Sequence, residues 1–447
     1  PDWMISPRPL RIIWYAAPGG SNHCQKSGEA MTELDHEQAA ERIEPATLNE
    51  LARYFVHLGF TAFGGPAAHI AIMQEDLVKR RRWLTRQHFL DLLAATQLVP
   101  GPNSTEMVIH IGYLKQGVKG LFLAGICFIM PAFLIVLILS MIYVAYGSLP
   151  ATSALFYGIQ PVIVAIVVQA IERLARSAWK TPAFLILGIV AAILSLILPV
   201  DPVFVIIGGG LVGMLLAGGW IMRGMTVLLV LPTMPGIALQ VADPGSTLWQ
   251  LGLFFLKVGA TLMGSGYLLI SYIEQDLVGS GLLTARQLID AIAVGQMTPG
   301  PVFTTAAFVG YIVQAGTTGN ISAGIIGACV CALAIFLPSF IIIWITAPLV
   351  PRMRGSRIMG AFLDGVNAAV VGAMAATTWI MLRAAIINLP HPIYTLPVAG
   401  VPIDLPALLI AVIATAILLP KKAPNSTWLI GVGALLGLVL QYTAGNV

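Results

Sequence analysis

Gln97-Leu98-Val99-Pro100-Gly101-Pro102 interrupts an apolar stretch with two prolines and a glycine, and about 200 residues later Gln296-Met297-Thr298-Pro299-Gly300-Pro301 does the same. An earlier pair of breaks, Phe63-Gly64-Gly65-Pro66 and Met263-Gly264-Ser265-Gly266, precedes each of them. Proline removes an N–H, and glycine removes the side chain that would hold a ligand away from the backbone. Backbone freed in this way at membrane depth must be satisfied by protein, by a ligand or by a water-lined cavity. After Pro102 come Asn103-Ser104-Thr105, residues suited to capping a helix start; after Pro301 come Val302-Phe303-Thr304-Thr305, a weaker version. The N–H groups of such starts carry about half a positive charge and bind anions, tetrahedral oxyanions among them. Broken apolar segments in matching places of two halves are the sequence mark of a transporter's binding site.

Ionisable and amide side chains gather around these breaks. His57 and Lys257 stand in equivalent places ahead of the first break of each half, and each offers a cation. His69 follows Pro66, and Gln97 and Gln296 each stand three residues before a proline, where an amide can donate to an oxyanion. Glu106 and His110, four apart on one helix face, can relay protons or pair with each other. Charges inside apolar spans are costly and raise functional hypotheses. The competing readings are packing histidines, a lysine that snorkels to the interface, and glycines and prolines that only permit kinks. The candidate substrate-binding set is His57, Gly64, Gly65, Pro66, His69, Gln97, Pro100, Gly101, Pro102, Asn103, Ser104, Lys257, Gly264, Gly266, Gln296, Pro299, Gly300, Pro301 and Thr304, with Glu106 and His110 as a proton relay. There is no H-E-x-x-H, no Walker loop and no G-x-S-x-G. No enzyme activity, metal or cofactor is expected, and the four cysteines read as small hydrophobes rather than ligands.

The elements that hold these residues are written in the composition. Of 447 residues, 57% are hydrophobic and 10% charged, with mean hydropathy +0.87. A soluble domain carries about 25% charged residues, so this chain takes the lipid bilayer as its solvent. The net charge of +4 sets its orientation in the membrane and implies no nucleic-acid partner. Apolar runs at 118–146, 152–172, 182–199, 202–221, 225–241, 321–347, 358–386, 404–420 and 427–442 are sized as membrane helices. The breaks belong to a longer internal repeat. Leu51–Gly59 matches Leu251–Gly259, Asp76 matches Asp276, Asp91 matches Asp290, and Pro131-Ala132-Phe133 matches Pro338-Ser339-Phe340. Basic residues fall on opposite flanks of corresponding spans in the two halves: Lys79–Arg82 is answered by uncharged Gly279-Ser280-Gly281, while Arg352, Arg354, Lys421 and Lys422 fall where the first half is bare. The positive-inside bias therefore inverts one half relative to the other.

The fold class expected is an all-α polytopic membrane protein with two inverted-topology repeats, broken or re-entrant helices and a linking transmembrane helix. Its segments are a polar, disordered 1–48, a first repeat over 49–222, a linker with one span over 223–248 and a second repeat over 249–447. Re-entrant hairpins at the breaks keep the basic loops on one side; counting each as a full span gives a rival arrangement of 6+1+6.

Phe55–His69, Glu75, Trp83-Leu84-Thr85 and Gln97–Pro102 together resemble the chromate ion transporter family, and the likeness, over about residues 50–445, includes its duplicated long form. The resemblance implies a multi-pass protein of the bacterial inner membrane that exports chromate, with sulfate as the look-alike anion, driven by membrane potential or a proton gradient. Sulfate uptake and a passive anion channel are the alternatives, and a homodimer stays open. Met263-Gly264-Ser265-Gly266 departs from the family pattern, lacking its Phe and second Gly, and the second half also lacks the Arg-rich run after its first break.

Overall fold

Prolines, glycines and capping boxes set where the helices begin and end. The computed structural model describes residues 44–96, 99–147, 149–198, 201–217, 244–263, 266–347, 357–387, 392–398, 401–420, 424 and 426–444. The expected linking span 225–241, all but the last five residues of the polar segment 1–48, Gln97, Gly264 and the basic residues Arg352, Arg354, Lys421 and Lys422 lie outside these. The first half holds α1 (Leu48–Thr61), α2 (Gly65–Gln74), α3 (Arg86–Thr96), α4 (Asn103–Tyr146), α5 (Pro150–Ala178), α6 (Pro182–Ile197) and α7 (Pro202–Ala217). The second holds α8 (Pro244–Thr261), α9 (Leu269–Tyr272), α10 (Ala285–Met297), α11 (Thr305–Thr318), α12 (Ile321–Thr346), α13 (Arg357–Ile386), α14 (Leu405–Leu418) and α15 (Ser426–Thr443). Among the described residues, five helices are long and apolar enough to cross a membrane: α4, α5, α12, α15 and, over Gly360–Ile386, α13.

The repeat persists in local detail. Thr85 accepts from the His88 N–H at 3.1 Å ahead of α3, as Thr284 accepts from the Gln287 N–H at 3.1 Å ahead of α10. Both α2 and α9 run on into a π turn, with Arg81 N–H reaching Asp76 O and Gly279 N–H reaching Glu274 O. α4 is two helices: Gln116 and Gly117 leave helical geometry, and the backbones of Gly112 and Gly120 pack against each other. The second half reverses at the same place, at Gly319 between α11 and α12, with Gly310 packed on Gly327. The arms beside the second breaks, α3, α10 and α11, have 11, 13 and 14 residues. At about 1.5 Å per residue none crosses a ~30 Å hydrocarbon core alone.

Each half clasps the other. α5 lies against α14 and α15 of the second half, while its counterpart α13 lies against α6 and α7 of the first. Small residues let the backbones meet: Gly158 faces Gly433 and Gly437, and Gly365 faces Gly209 and Gly213. Polar side chains pin the same layer. Buried Asp290 accepts from the Tyr143 hydroxyl (2.8 Å) and Gln160 Nε2 (2.9 Å), and Lys180 pairs with Asp364 at 2.7 Å. The fold departs from the all-α expectation in one small element, the antiparallel strands β1 (Thr395–Val398) and β2 (Val401–Asp404). Asp404 ends β2 and caps α14 through the Ala407 N–H, while accepting from the Tyr157 hydroxyl at 2.6 Å. A four-residue strand paired only with its neighbour carries too little hydrophobic alternation to be seen in sequence.

Candidate functional site

The breaks meet, and they are braced across the halves. The Gly101 N–H bonds to the Leu262 carbonyl at 2.7 Å, and its counterpart, the Gly300 N–H, bonds to the Ala62 carbonyl at 3.0 Å. Ala62 and Leu262 are themselves equivalent, so each second break holds the other half's first break in a two-fold arrangement. Gly101 (φ +139°) and Gly300 (φ +89°) both adopt backbone that L side chains disfavour. Both also leave no room for a Cβ: Gly101 lies against the Glu106 carboxyl and the Ser339 hydroxyl, and Gly300 against Ala132, whose Cβ would be 2.9 Å away. This corrects one expectation. The N–H groups of Gly101 and Gly300 do not face a ligand; they hold the halves together.

Pro66, Pro102, Ser104, Gly266, Tyr267, Val302 and Phe303 enclose one small cavity, and they come from all four breaks. Its free space is about 10 Å3, close to the room a single water needs. Admitting a tetrahedral oxyanion therefore requires the break segments to separate. The first turns of α2 and α4 abut this cavity without side-chain caps, since their N-cap positions are Gly64 and Pro102. Asn103-Ser104-Thr105, expected to cap α4, are instead its first turn. Their N–H groups have no intrahelical acceptor, and Ser104 and Thr105 are buried. In the second half Phe303 stands in the place of Ser104, and the next two hydroxyls turn inward: Thr304 donates to Pro301 O at 2.9 Å and Thr305 to Val302 O at 2.8 Å.

The other candidates divide. Gly65 is buried at the start of α2, and half-buried Pro100 and buried Pro299 flank the braced glycines. Buried Gln296 meets the Tyr267 hydroxyl, so an amide does stand beside the cavity. His69 is buried, with Nε2 against the Ala62 carbonyl at 3.0 Å, and so supports the first break from behind. His57 is exposed on α1 and does not line the cavity. Lys257 is not a free cation: its ammonium pairs with Asp201 (2.8 Å) and with Asp276. Both corrections have one cause, that two helical turns before a break carries the side chain well away from it. Glu106 and His110 do not pair either. Both are buried, and both Glu106 oxygens and both His110 ring nitrogens lack hydrogen-bond partners.

Two residues at the site escaped the sequence reading. Tyr267 lines the cavity, and Ser339 reaches Gly101 from the opposite half. The repeat carried a signal for Ser339, since the matching residue in Pro131-Ala132-Phe133 is apolar. Nothing local marked Tyr267, whose position depends on how the halves dock.

Comparison with known proteins adds the family. The chromate transporter profile matches residues 49–214 and again 249–438. A chromate transport protein of Cupriavidus metallidurans is 30% identical over 398 residues, covering 88% of this chain and 93% of its own length. A probable chromate transport protein of Synechococcus elongatus is 32% identical over 355 residues, covering 78% and 88%. An uncharacterized transporter of Methanocaldococcus jannaschii is 29% identical, over 75% of this chain and 85% of its own. No solved structure matches. The profile matches twice, once on each set of breaks, and the chain is therefore a two-repeat, multi-pass membrane protein of the chromate transporter family, a transporter and not an enzyme.

Proposed function

We propose that this protein is a secondary transporter that exports chromate across a bacterial inner membrane, and that the cavity between the four breaks is where the anion binds. One observation carries the reading: uncapped first turns of helices from the first half and break segments from the second close on the same small space. Uncapped N–H groups favour an oxyanion, and the prolines and glycines keep side chains out of its way. Pro66, Pro102, Ser104, Gly266 and Tyr267 form the contact surface, with Gln296 holding Tyr267. Gly101 and Gly300 act as braces whose bonds must shift when the cavity opens. The relatives' names supply chromate as the first substrate to test. Sulfate has the same shape and charge, so the same cradle takes both. Inverted repeats that clasp each other in this way favour alternating access about a fixed central site.

The test is flux of labelled chromate into everted membrane vesicles energised by a respiratory substrate, with sulfate as competitor. Energy-dependent uptake that sulfate blocks, and that Ser104→Val abolishes at normal protein level by filling the cavity, is the expected result. Flux confined to right-side-out vesicles reverses the direction to uptake. Silence in both orientations sinks the transport reading.

A further inference from the structure

The two halves match in backbone but differ in buried polarity around the first half's braced glycine. Around Gly101 lie Glu106, fully buried, and Ser339; one turn further along α4 is His110, and His69 sits behind the first break. The repeat equivalents of Glu106, His69 and Ser339 are Thr305, Leu269 and Ala132, and the place of His110, two residues before Gly112, is taken by Phe308, two before Gly310. The second half thus builds the corresponding brace, again around a glycine of positive φ, from small and apolar residues. A brace of this kind forms without a carboxylate. An ionised carboxylate buried without partners is among the most costly groups a protein can hold, and both oxygens of Glu106 are unpartnered.

Its surroundings offer no compensating charge. Its own helix brings His110, α12 brings Ser339, and α2 brings His69, whose Nε2 meets the Ala62 carbonyl and whose Nδ1 is buried without a partner. The ionisable groups of the other helices packed on α4 are Glu50, Arg53, Tyr54 and His57 on α1, Arg86, His88 and Asp91 on α3, Arg286 and Asp290 on α10, Tyr311 on α11, and Cys329 and Cys331 on α12. None of them hydrogen-bonds to the Glu106 carboxyl, both of whose oxygens are buried without a partner. The carboxyl meanwhile touches Gly101, the neighbour in sequence of cavity-lining Pro102, and stands in the first turn of the helix whose N–H groups face that cavity.

From this we infer that Glu106 is a protonation site coupled to the anion, so that an oxyanion and one proton bind together, the proton on the Glu106 carboxyl. A bare carboxylate one turn behind the cradle repels an incoming dianion. The acid form removes that repulsion and gives Ser339 or the anion an O–H donor. No bond to the anion forms; the proton comes from the aqueous side to which the cavity is open and leaves when the anion leaves. The inference rests on the transporter reading above and specifies which species that site carries.

The test is chromate binding to the purified full-length protein by titration calorimetry across a pH series, wild type beside Glu106→Gln. Chromate's own protonation enters both proteins alike. The expected result is a wild-type affinity that weakens relative to the variant by up to about tenfold per pH unit on the alkaline side, while Glu106→Gln, an isostere of the acid form, stays at the tight limit. Equal pH dependence in both proteins overturns the inference and leaves the transporter reading standing. Absence of chromate binding to either protein at any pH overturns the reading and the inference with it. An infrared difference spectrum, wild type minus Glu106→Gln, provides a readout free of substrate. A carboxylic-acid carbonyl band supports the assignment, and its absence at acid pH overturns it.

Discussion

Replacing Lys257 by methionine separates a structural tie from a substrate cation. The ammonium of Lys257 joins Asp201, just ahead of α7, to Asp276 in the π turn after α9, and so links the first half's last helix to the second half's first break. The lysine side chain is 32% exposed and the two aspartates 11% and 15%. Breaking a buried pair by removing one partner costs about 3–5 kcal/mol, and an exposed pair is worth about 0–1. A third-exposed lysine between two largely buried carboxylates falls between these limits, at about 2–3 kcal/mol. For a chain this long that lowers Tm by about 2–3 °C. The assay is a melting curve in detergent for Lys257→Met, Asp276→Asn and the double variant. Removing Asp276's charge as well relieves the uncompensated pair, because Asp201 still accepts from the Val203 N–H at 2.9 Å. The double variant should recover at least half of the lost stability and should transport. A Lys257→Met protein that melts with the wild type refutes the tie. A double variant that is stable but transports nothing refutes it differently and returns Lys257 to the role its sequence position suggests.

Gly300→Ala and Gly65→Ala should differ although both glycines have positive φ, +89° and +75°. The left-handed backbone costs each about 1–2 kcal/mol, but only at position 300 does the new Cβ collide, 2.9 Å from Ala132, whereas at position 65 its nearest neighbour is the Tyr267 hydroxyl at 4.0 Å. Overpacking adds about 1–3 kcal/mol, so equal losses in a denaturation series would contradict the bracing geometry. Asp290→Leu should destabilise by about 2–4 kcal/mol, since the Tyr143 hydroxyl and the Gln160 amide lose their common acceptor in a buried setting. Asp290→Asn retains an acceptor and should cost about 1 kcal/mol; a melting comparison in which the two variants coincide argues against that network.

Much of the architecture was legible because lipid imposes a strict code on sequence. Continuous apolar runs had to be helices, so α5, α6, α7, α12, α13, α14 and α15 fall where hydropathy places them. The two-fold repeat was equally readable, since glycine and proline at the breaks and at Gly112 and Gly310 answer to local backbone geometry and crowding that no other residue satisfies. Those positions name the site's walls. They do not name its contacts, because a side chain's partner is set by whatever the other half brings against it. Lys257 reads as a free cation until Asp201, 56 residues earlier, arrives beside it. Gly101 and Gly300 read as anion-facing N–H groups until each finds a carbonyl of the opposite half. Glu106 and His110, one turn apart, read as a pair, yet each is left alone in apolar packing. Sequence alone determined which segments cross, where they break and that they do so twice, for these follow from solvent and backbone. Docking of the halves alone decided which N–H groups are spent, which charges are cancelled and which carboxyl is buried without a partner, because burial and pairing arise between segments distant in the chain.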